Sequence, residues 1–193
     1  TVQERIDQAR EADLGAIAIT DHDCIPDELE SPSFTHNGVE VVTGVEIRAD
    51  IFDTKIEILG YYVDPENDRL NSLLERVRGY REERNRKMVE NLADETGLDV
   101  TYEELADEAD GSLGRPHMAD FLIEQGLADE VGEAFDEYLA DDGNCYVPMD
   151  RAPYQDVIDA VHEAGGVASL AHPGRIRSAR VPEMVEELAE NVL

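Results

Sequence analysis

Three short segments of the chain bring histidine or carboxylate side chains to the ends of apolar runs: Thr20-Asp21-His22-Asp23, Gly44-Val45-Glu46 and Leu170-Ala171-His172-Pro173. Imidazole suits zinc, iron and manganese, while carboxylates suit harder ions and can bridge two of them. One histidine beside a buried strand is ordinarily a hydrogen-bonded structural residue. Three strand ends carrying such groups point instead to a divalent-metal site. Glu57, between Ile56 and Ile58, adds a carboxylate, although the same alternation also fits a residue facing water from a half-exposed strand.

A second constellation is cationic. Arg81, Arg84, Arg86 and Lys87 share one helical segment, with Arg81 and Arg84 three apart on a common face. Gly114-Arg115-Pro116-His117 places an arginine and a histidine at the start of another helix. Arginine grips phosphate oxygens bidentately, and helix starts favour anions. Glu82, Glu83 and Glu90 are ready alternative partners for Arg81, Arg86 and Lys87, whereas Pro116 can begin its helix and leave Arg115 at the mouth. His36 falls in a polar loop and His162 on an exposed helix face. Ser169 has no nucleophile elbow around it. None of these three is assigned a role.

The elements that must carry these residues follow from periodicity. Val2, Ile6, Ala9 and Ala12 make a helical stripe over residues 2–13, with Gly15 as its stop. Apolar runs at 16–20, 39–47, 56–63 and 167–171 read as strands, the first and last of them as buried ones. Leu70, Leu73, Leu74, Val77, Met88 and Leu92 keep helical spacing through 68–96, with Gly97 as a stop. Thr101 and Glu104 form a capping box. Further helices are expected over 116–125, 130–139 and from Tyr154 to Gly165-Gly166, with a last one starting near Pro182. The order is that of an α/β protein, in which residues at the ends of different strands converge on one face. Residues 1–66 read as β/α units, 67–148 as an all-helical insertion and 149–193 as the return of the β/α rhythm.

The 193 residues carry 46 Asp plus Glu against 16 Lys plus Arg, a formal charge of −30, and only Lys55 and Lys87 are lysines. At low salt such a surface repels itself, whereas at molar salt the screening length falls to about 3 Å. Acids scattered through every segment therefore point to a salt-rich cytoplasm, as in halophilic archaea. The same charge excludes nonspecific binding of duplex DNA at ordinary salt. No apolar run is long enough to span a bilayer, so no membrane partner is expected. Cys24 and Cys145 form neither a disulfide framework nor a zinc ribbon. The chain opens at Thr1 and ends within a helical pattern, and is expected to be a fragment of a longer protein.

Taken in order, Ala16-Ile-Ala-Ile-Thr-Asp-His-Asp23, Gly44-Val-Glu46, Ile56-Glu-Ile-Leu-Gly60, Gly114-Arg-Pro-His117 and Gly165-Gly-Val-Ala-Ser-Leu-Ala-His-Pro173 resemble the polymerase-and-histidinol-phosphatase (PHP) family of metal-dependent phosphoesterases. The helical block resembles the branch acting on nucleoside 3′,5′-bisphosphates and, from the 5′ end, on short RNA. The resemblance implies a distorted seven-stranded β/α barrel, incomplete here at both ends, that binds two or three divalent ions (manganese, zinc or iron). By that analogy His22, Glu46 and His172 are metal ligands, with Glu46 bridging. Glu57 stands where the family usually has a ligating histidine, which shifts preference toward manganese or another harder ion. Arg84, Arg115 and His117 would hold substrate phosphate. The family's opening his-x-his and closing asp-x-his motifs would lie outside this stretch, so the isolated chain is expected to turn over little. The implied reaction is hydrolysis of a phosphate monoester or terminal phosphodiester of a nucleotide or short RNA end. A water shared between two ions would attack phosphorus, with no separate side-chain nucleophile. Histidinol-phosphate phosphatase and a non-catalytic PHP-like module of a larger protein are the rival readings.

Overall fold

The computed structural model describes residues 1–109 and 113–192, with side chains as far as Glu190. Residues 110–112 of the expected helical block, and residue 193 of the expected barrel continuation, lie outside the described residues. The chain runs α1 (Val2–Glu11), β1 (Ala16–Ile19), β2 (Ser33–His36), β3 (Val39–Ile51), β4 (Thr54–Tyr61), α2 (Asp68–Thr96), α3 (Tyr102–Glu108), α4 (Arg115–Glu124) and α5 (Val131–Ala134). A π-helical turn (Phe135–Leu139) follows, then β5 (Ala152–Pro153), α6 (Tyr154–Glu163), β6 (Val167–Leu170), a 3-10 turn (Pro173–Arg175) and α7 (Val181–Val192). No helix among the described residues is long and apolar enough to cross a membrane.

The chain divides into two compact units, Thr1–Arg78 with everything from Arg151 onward, and Gly79–Asp150. The first holds a mixed sheet in the order β1-β3-β4-β6, with β2 and β5 also paired to β3. β3 is its spine. Its first half runs parallel to β1 and antiparallel to β2, and its second half pairs antiparallel with β4 and briefly parallel with β5. The antiparallel β3–β4 and β4–β6 pairs depart from the all-parallel rhythm of β/α units. The reason lies in the turn: Phe52 and Asp53 both adopt positive φ, 53° and 58°, as a two-residue hairpin requires.

Alternation along β3 buries Ile47, Ala49 and Ile51 and turns Glu46, Arg48 and Asp50 to the other face. Ile56 and Ile58 of β4 join the buried face. They pack with Leu70, Leu73, Leu74 and Val77 of α2, Val157, Ile158 and Val161 of α6, and Met184 and Leu188 of α7. Met88 and Leu92, later on α2, belong to a separate core in the second unit with Leu105, Met118, Leu122 and Leu139.

Several expectations need correction. α1 ends at Glu11, two residues short of the expected 2–13, because Asp13 turns left-handed at φ 56° and Ala12 is left exposed beyond the helix. β1 and β6 are not buried strands. Each lies at an end of the sheet path and buries one residue, Ile19 and Ala168 respectively. His36 is not in a loop but ends β2, which hairpins into β3 through Asn37 and Gly38, both at positive φ. Glu46 lies in the middle of β3, because pairing with β4 and β5 carries that strand on to Ile51.

Candidate metal centre

The outward face of β3 and β4 carries the carboxylates. Glu46 and Arg48 alternate on β3, and Arg48 lies directly opposite Glu57 of β4. His22 reaches the same place from the loop after β1, where an isolated parallel bridge pairs it with Glu46. Two backbone hydrogen bonds hold that bridge: Glu46 N–H donates to Asp21 O at 3.0 Å and Asp23 N–H to Glu46 O at 2.9 Å. His172 arrives from the end of β6, where Ala171 N–H donates to the carbonyl of Glu57 at 2.9 Å. His172 adopts φ 30°, a left-handed conformation just before a proline. Such conformations cost on the order of 1–3 kcal/mol and gather at functional sites.

The side chains meet. Nε2 of His172 stands 3.1 Å from Glu46 Oε1 and 2.9 Å from Glu57 Oε2. Nδ1 of His22 stands 3.5 Å from Glu46 Oε2 and 3.9 Å from Glu57 Oε1. Among the described residues, Glu46, Glu57 and His172 offer donor atoms that all lie within 4.8 Å of one another. Glu46 is 15% exposed and Glu57 22%, so two carboxylates are drawn together and largely out of water. A single imidazole proton serves only one of the two oxygens that Nε2 faces. A divalent cation placed among two carboxylates and imidazole nitrogens compensates the whole group, and this donor set matches manganese, iron or zinc chemistry. The residues fit a metal.

The flanking acids have other duties. Asp21 accepts from Arg5 Nη1 at 3.0 Å, and this carboxylate holds the Arg5 guanidinium above its ordinary pKa. Asp23 is fully buried, at φ 56°, and accepts both the Arg48 backbone N–H and the Arg48 guanidinium. Arg48 Nε lies 3.7 Å from Glu57 Oε1. Arg48 thus ties the loop carrying His22 to the strand carrying Glu57. The Asp23–Arg48 pair was missed in the sequence, where nothing singles out Arg48. Its only signal is its place two residues after Glu46, on the same strand face.

The second unit places the cationic candidates as follows. Arg86 bonds Glu82 and Glu103, and Lys87 bonds Glu83, the fate expected from sequence. Arg84 lies with Nη1 3.1 Å from Met88 Sδ. Arg115 donates to the carbonyl of Leu139, at the end of the π-helical turn, at 3.1 Å, and lies 3.4 Å from Asp141. Nδ1 of His117 accepts the Gly114 backbone N–H at 3.1 Å, which leaves Nε2 of this exposed residue to carry the proton in the neutral ring. Arg115 and His117 are both engaged within their own unit.

Comparison with known proteins agrees with this chemistry. No family model matches the chain. A 5′-3′ exoribonuclease of Haemophilus influenzae is 31% identical over 174 residues, covering 89% of this chain and 63% of the relative. A 3′,5′-nucleoside bisphosphate phosphatase of Chromobacterium violaceum is 29% identical, covering 97% of this chain and 66% of the relative. A crystal structure from Bifidobacterium adolescentis, described as that of a metal-dependent phosphoesterase, superposes with a TM-score of 0.72 at 27% identity, covering 94% of this chain and 67% of that one. The chain therefore spans a little under two thirds of the length of the exoribonuclease relative.

Proposed function

We propose that this chain forms most of the core of a PHP-type, metal-dependent phosphoesterase that hydrolyses a phosphate monoester or a terminal phosphodiester of a nucleoside 3′,5′-bisphosphate or short RNA. The observation that carries the reading is the convergence of His22, Glu46, Glu57 and His172, distant in sequence, on one face of the sheet. The named relatives favour phosphoric ester hydrolysis over other metal chemistry on the same donor set.

Glu46 and Glu57 would hold two or three divalent ions with His22 and His172, Glu46 lying between the two histidines. The carboxylate at position 57 shifts preference among manganese, zinc and iron toward manganese or another harder ion. Ions held there would supply Lewis-acid polarisation of phosphoryl oxygens and would lower the pKa of a bound water toward neutrality. Asp23 fixes Arg48, and Arg48 fixes Glu57, so the carboxylates are positioned before substrate arrives. Arg84, Arg115 and His117 are proposed as phosphate contacts on the family resemblance. The block 67–148 is proposed as a helical insertion, and the mixed sheet as part of a distorted seven-stranded barrel. The −30 charge supports operation in a salt-rich cytoplasm.

The test is Glu46→Gln in the full-length protein, assayed with manganese on adenosine 3′,5′-bisphosphate in molar KCl. Loss of a bridging carboxylate is expected to lower hydrolysis by at least about 100-fold and manganese affinity by about 10- to 100-fold. Wild-type rates in the variant would remove the metal-site reading.

A further inference from the structure

Two tight hairpins flank β3, and they meet the same backbone requirement with different residues. Each needs positive φ at its two central positions. The β2–β3 turn uses Asn37 and Gly38, the types such a turn favours, whereas the β3–β4 turn uses Phe52 and Asp53. A bulky side chain at φ 53° is costly, because its Cβ crowds the following carbonyl. Phe52 therefore calls for a reason outside the turn.

The reason is what its ring touches. The Arg180 guanidinium lies over the Phe52 ring, 4.2 Å from its centroid. Two hydrogen bonds of 2.9 Å fix that guanidinium on Glu183, Nε to Oε2 and Nη2 to Oε1. These bonds, and to a smaller extent Asp53 at the hairpin tip, hold the Arg180 side chain above its ordinary pKa. The Arg180 carbonyl accepts the Met184 N–H at 2.9 Å, which seats the residue at the start of α7.

The stack joins the hairpin to the segment that follows His172. Residues 173–180 form a strap from that histidine to α7. At the near end, in the 3-10 turn, Arg175 N–H donates to the His172 carbonyl at 2.9 Å. Midway, Ile176 packs against the core of the first unit, as Phe52 does. A cleft of about 210 Å³ separates β4 from the strap, with Lys55, Ile56 and Glu57 on one side and His172, Arg175 and Ile176 on the other. Packing thus leaves His172 open toward the cleft, at a strained φ of 30° that its surroundings must enforce. We propose that Phe52 and Arg180 are positioning residues of the metal centre: their stack latches the strap to the β3–β4 hairpin and keeps His172 against Glu46 and Glu57. The latch does for His172 what the Asp23–Arg48 pair does for His22. A cation over a ring also suits a chain of −30 charge at high salt, because it acts at contact and not over distance. The inference rests on the metal-centre part of the phosphoesterase reading.

The experiment uses the full-length protein in molar KCl and reads two quantities. One is manganese affinity by calorimetric titration. The other is the rate at which trypsin cuts the metal-free protein after Arg175 and Arg177, both exposed on the strap, with the cut sites identified by mass spectrometry. Phe52→Asn is the discriminating variant, since asparagine suits the turn and only the ring is lost. Without the latch, manganese affinity is expected to fall by about tenfold and strap cleavage to quicken by about as much. Arg180→Ala should act alike, and Phe52→Tyr, which keeps the ring, should restore wild-type values. If Phe52 served the turn alone, Phe52→Asn would leave both quantities unchanged. A wild-type manganese affinity in both Phe52→Asn and Arg180→Ala overturns the latch, whatever the cleavage rate, and leaves the metal centre standing. A wild-type protein that binds no manganese sinks the metal centre and the latch with it.

Discussion

Replacing Asp23 by alanine tests whether the metal centre is held in place from beneath. Asp23 is fully buried, and the Arg48 side chain that it binds is 21% exposed. Removing one partner of a buried ion pair costs about 3–5 kcal/mol, because the other charge is left without compensation. Here the lower end applies, since Arg48 keeps some water and a second carboxylate, Glu57, at 3.7 Å. Alanine at φ 56° adds about 1 kcal/mol, because its Cβ crowds the following carbonyl. The expected loss is about 3–4 kcal/mol, and at about 2–4 °C per kcal/mol for a chain of this size the melting temperature falls by about 6–16 °C.

The functional consequence goes further than stability. Released from Asp23, Arg48 is free to pair wholly with Glu57 and compete with the metal for that carboxylate. Manganese affinity is therefore expected to fall by about 10- to 100-fold, as when other supporting partners of metal ligands are removed. Asp23→Asn keeps the left-handed backbone and a carbonyl oxygen for the Arg48 N–H, so it should cost less, about 1.5–3 kcal/mol. The assay is thermal unfolding of Asp23→Ala, Arg48→Ala and the double variant in molar KCl, with and without manganese. Strong coupling is expected: the double variant should be more stable than the sum of the single losses predicts. Additive losses, or an Asp23→Ala variant within about 1 kcal/mol of wild type, would refute the positioning role.

Two other perturbations reach different parts of the structure. A Cβ on Gly44 would lie 2.6 Å from the carbonyl of Gly60, so Gly44→Ala must push β3 away from β4 two residues before Glu46. A loss of about 1–3 kcal/mol in thermal unfolding is expected, with weaker manganese binding, while an unchanged variant would mean the strands can part without cost. Burial, with a hydrogen bond to Glu187, lifts the Tyr154 hydroxyl from 10.0 to about 12. The folded state therefore keeps this proton where the unfolded chain has lost it, and stability falls as pH rises from about 10 toward 12. Tyr154→Phe should flatten that decline in denaturant titrations, and an equally steep fall in the variant would assign it elsewhere.

What was legible in the sequence were features set by neighbours a few residues apart. α2 begins and ends at Asp68 and Thr96, where its apolar spacing and Gly97 put it, and the Thr101–Glu104 capping box forms. What was not legible depended on distant pairing. A four-residue apolar run looks the same whether covered on two sides or at the end of a sheet, so β1 and β6 read as buried. The hairpin of β2 was announced by Asn37-Gly38, a turn signal whose backbone requirement is met at φ 52° and 84°, and was passed over because its strands alternate weakly. For the site, residue types and order named His22, Glu46 and His172. Whether Glu57 faced water or its neighbours was a matter of register, and only the pairing of β3 with β4 and β4 with β6 brings it to His172.

The register also bears on how so acidic a chain would hold phosphate. In the salt-rich cytoplasm proposed here, the screening length of about 3 Å removes long-range steering and long-range repulsion alike. Recognition must then come from groups that touch the substrate, and the −30 of the whole chain is nearly irrelevant to it. That explains why a few cations suffice if they stand in the right place. Arg48, bound to Asp23 and 3.7 Å from Glu57, is such a cation, standing within contact distance of a carboxylate of the metal centre. On this reasoning the position of charge on two paired strands matters more than its sum.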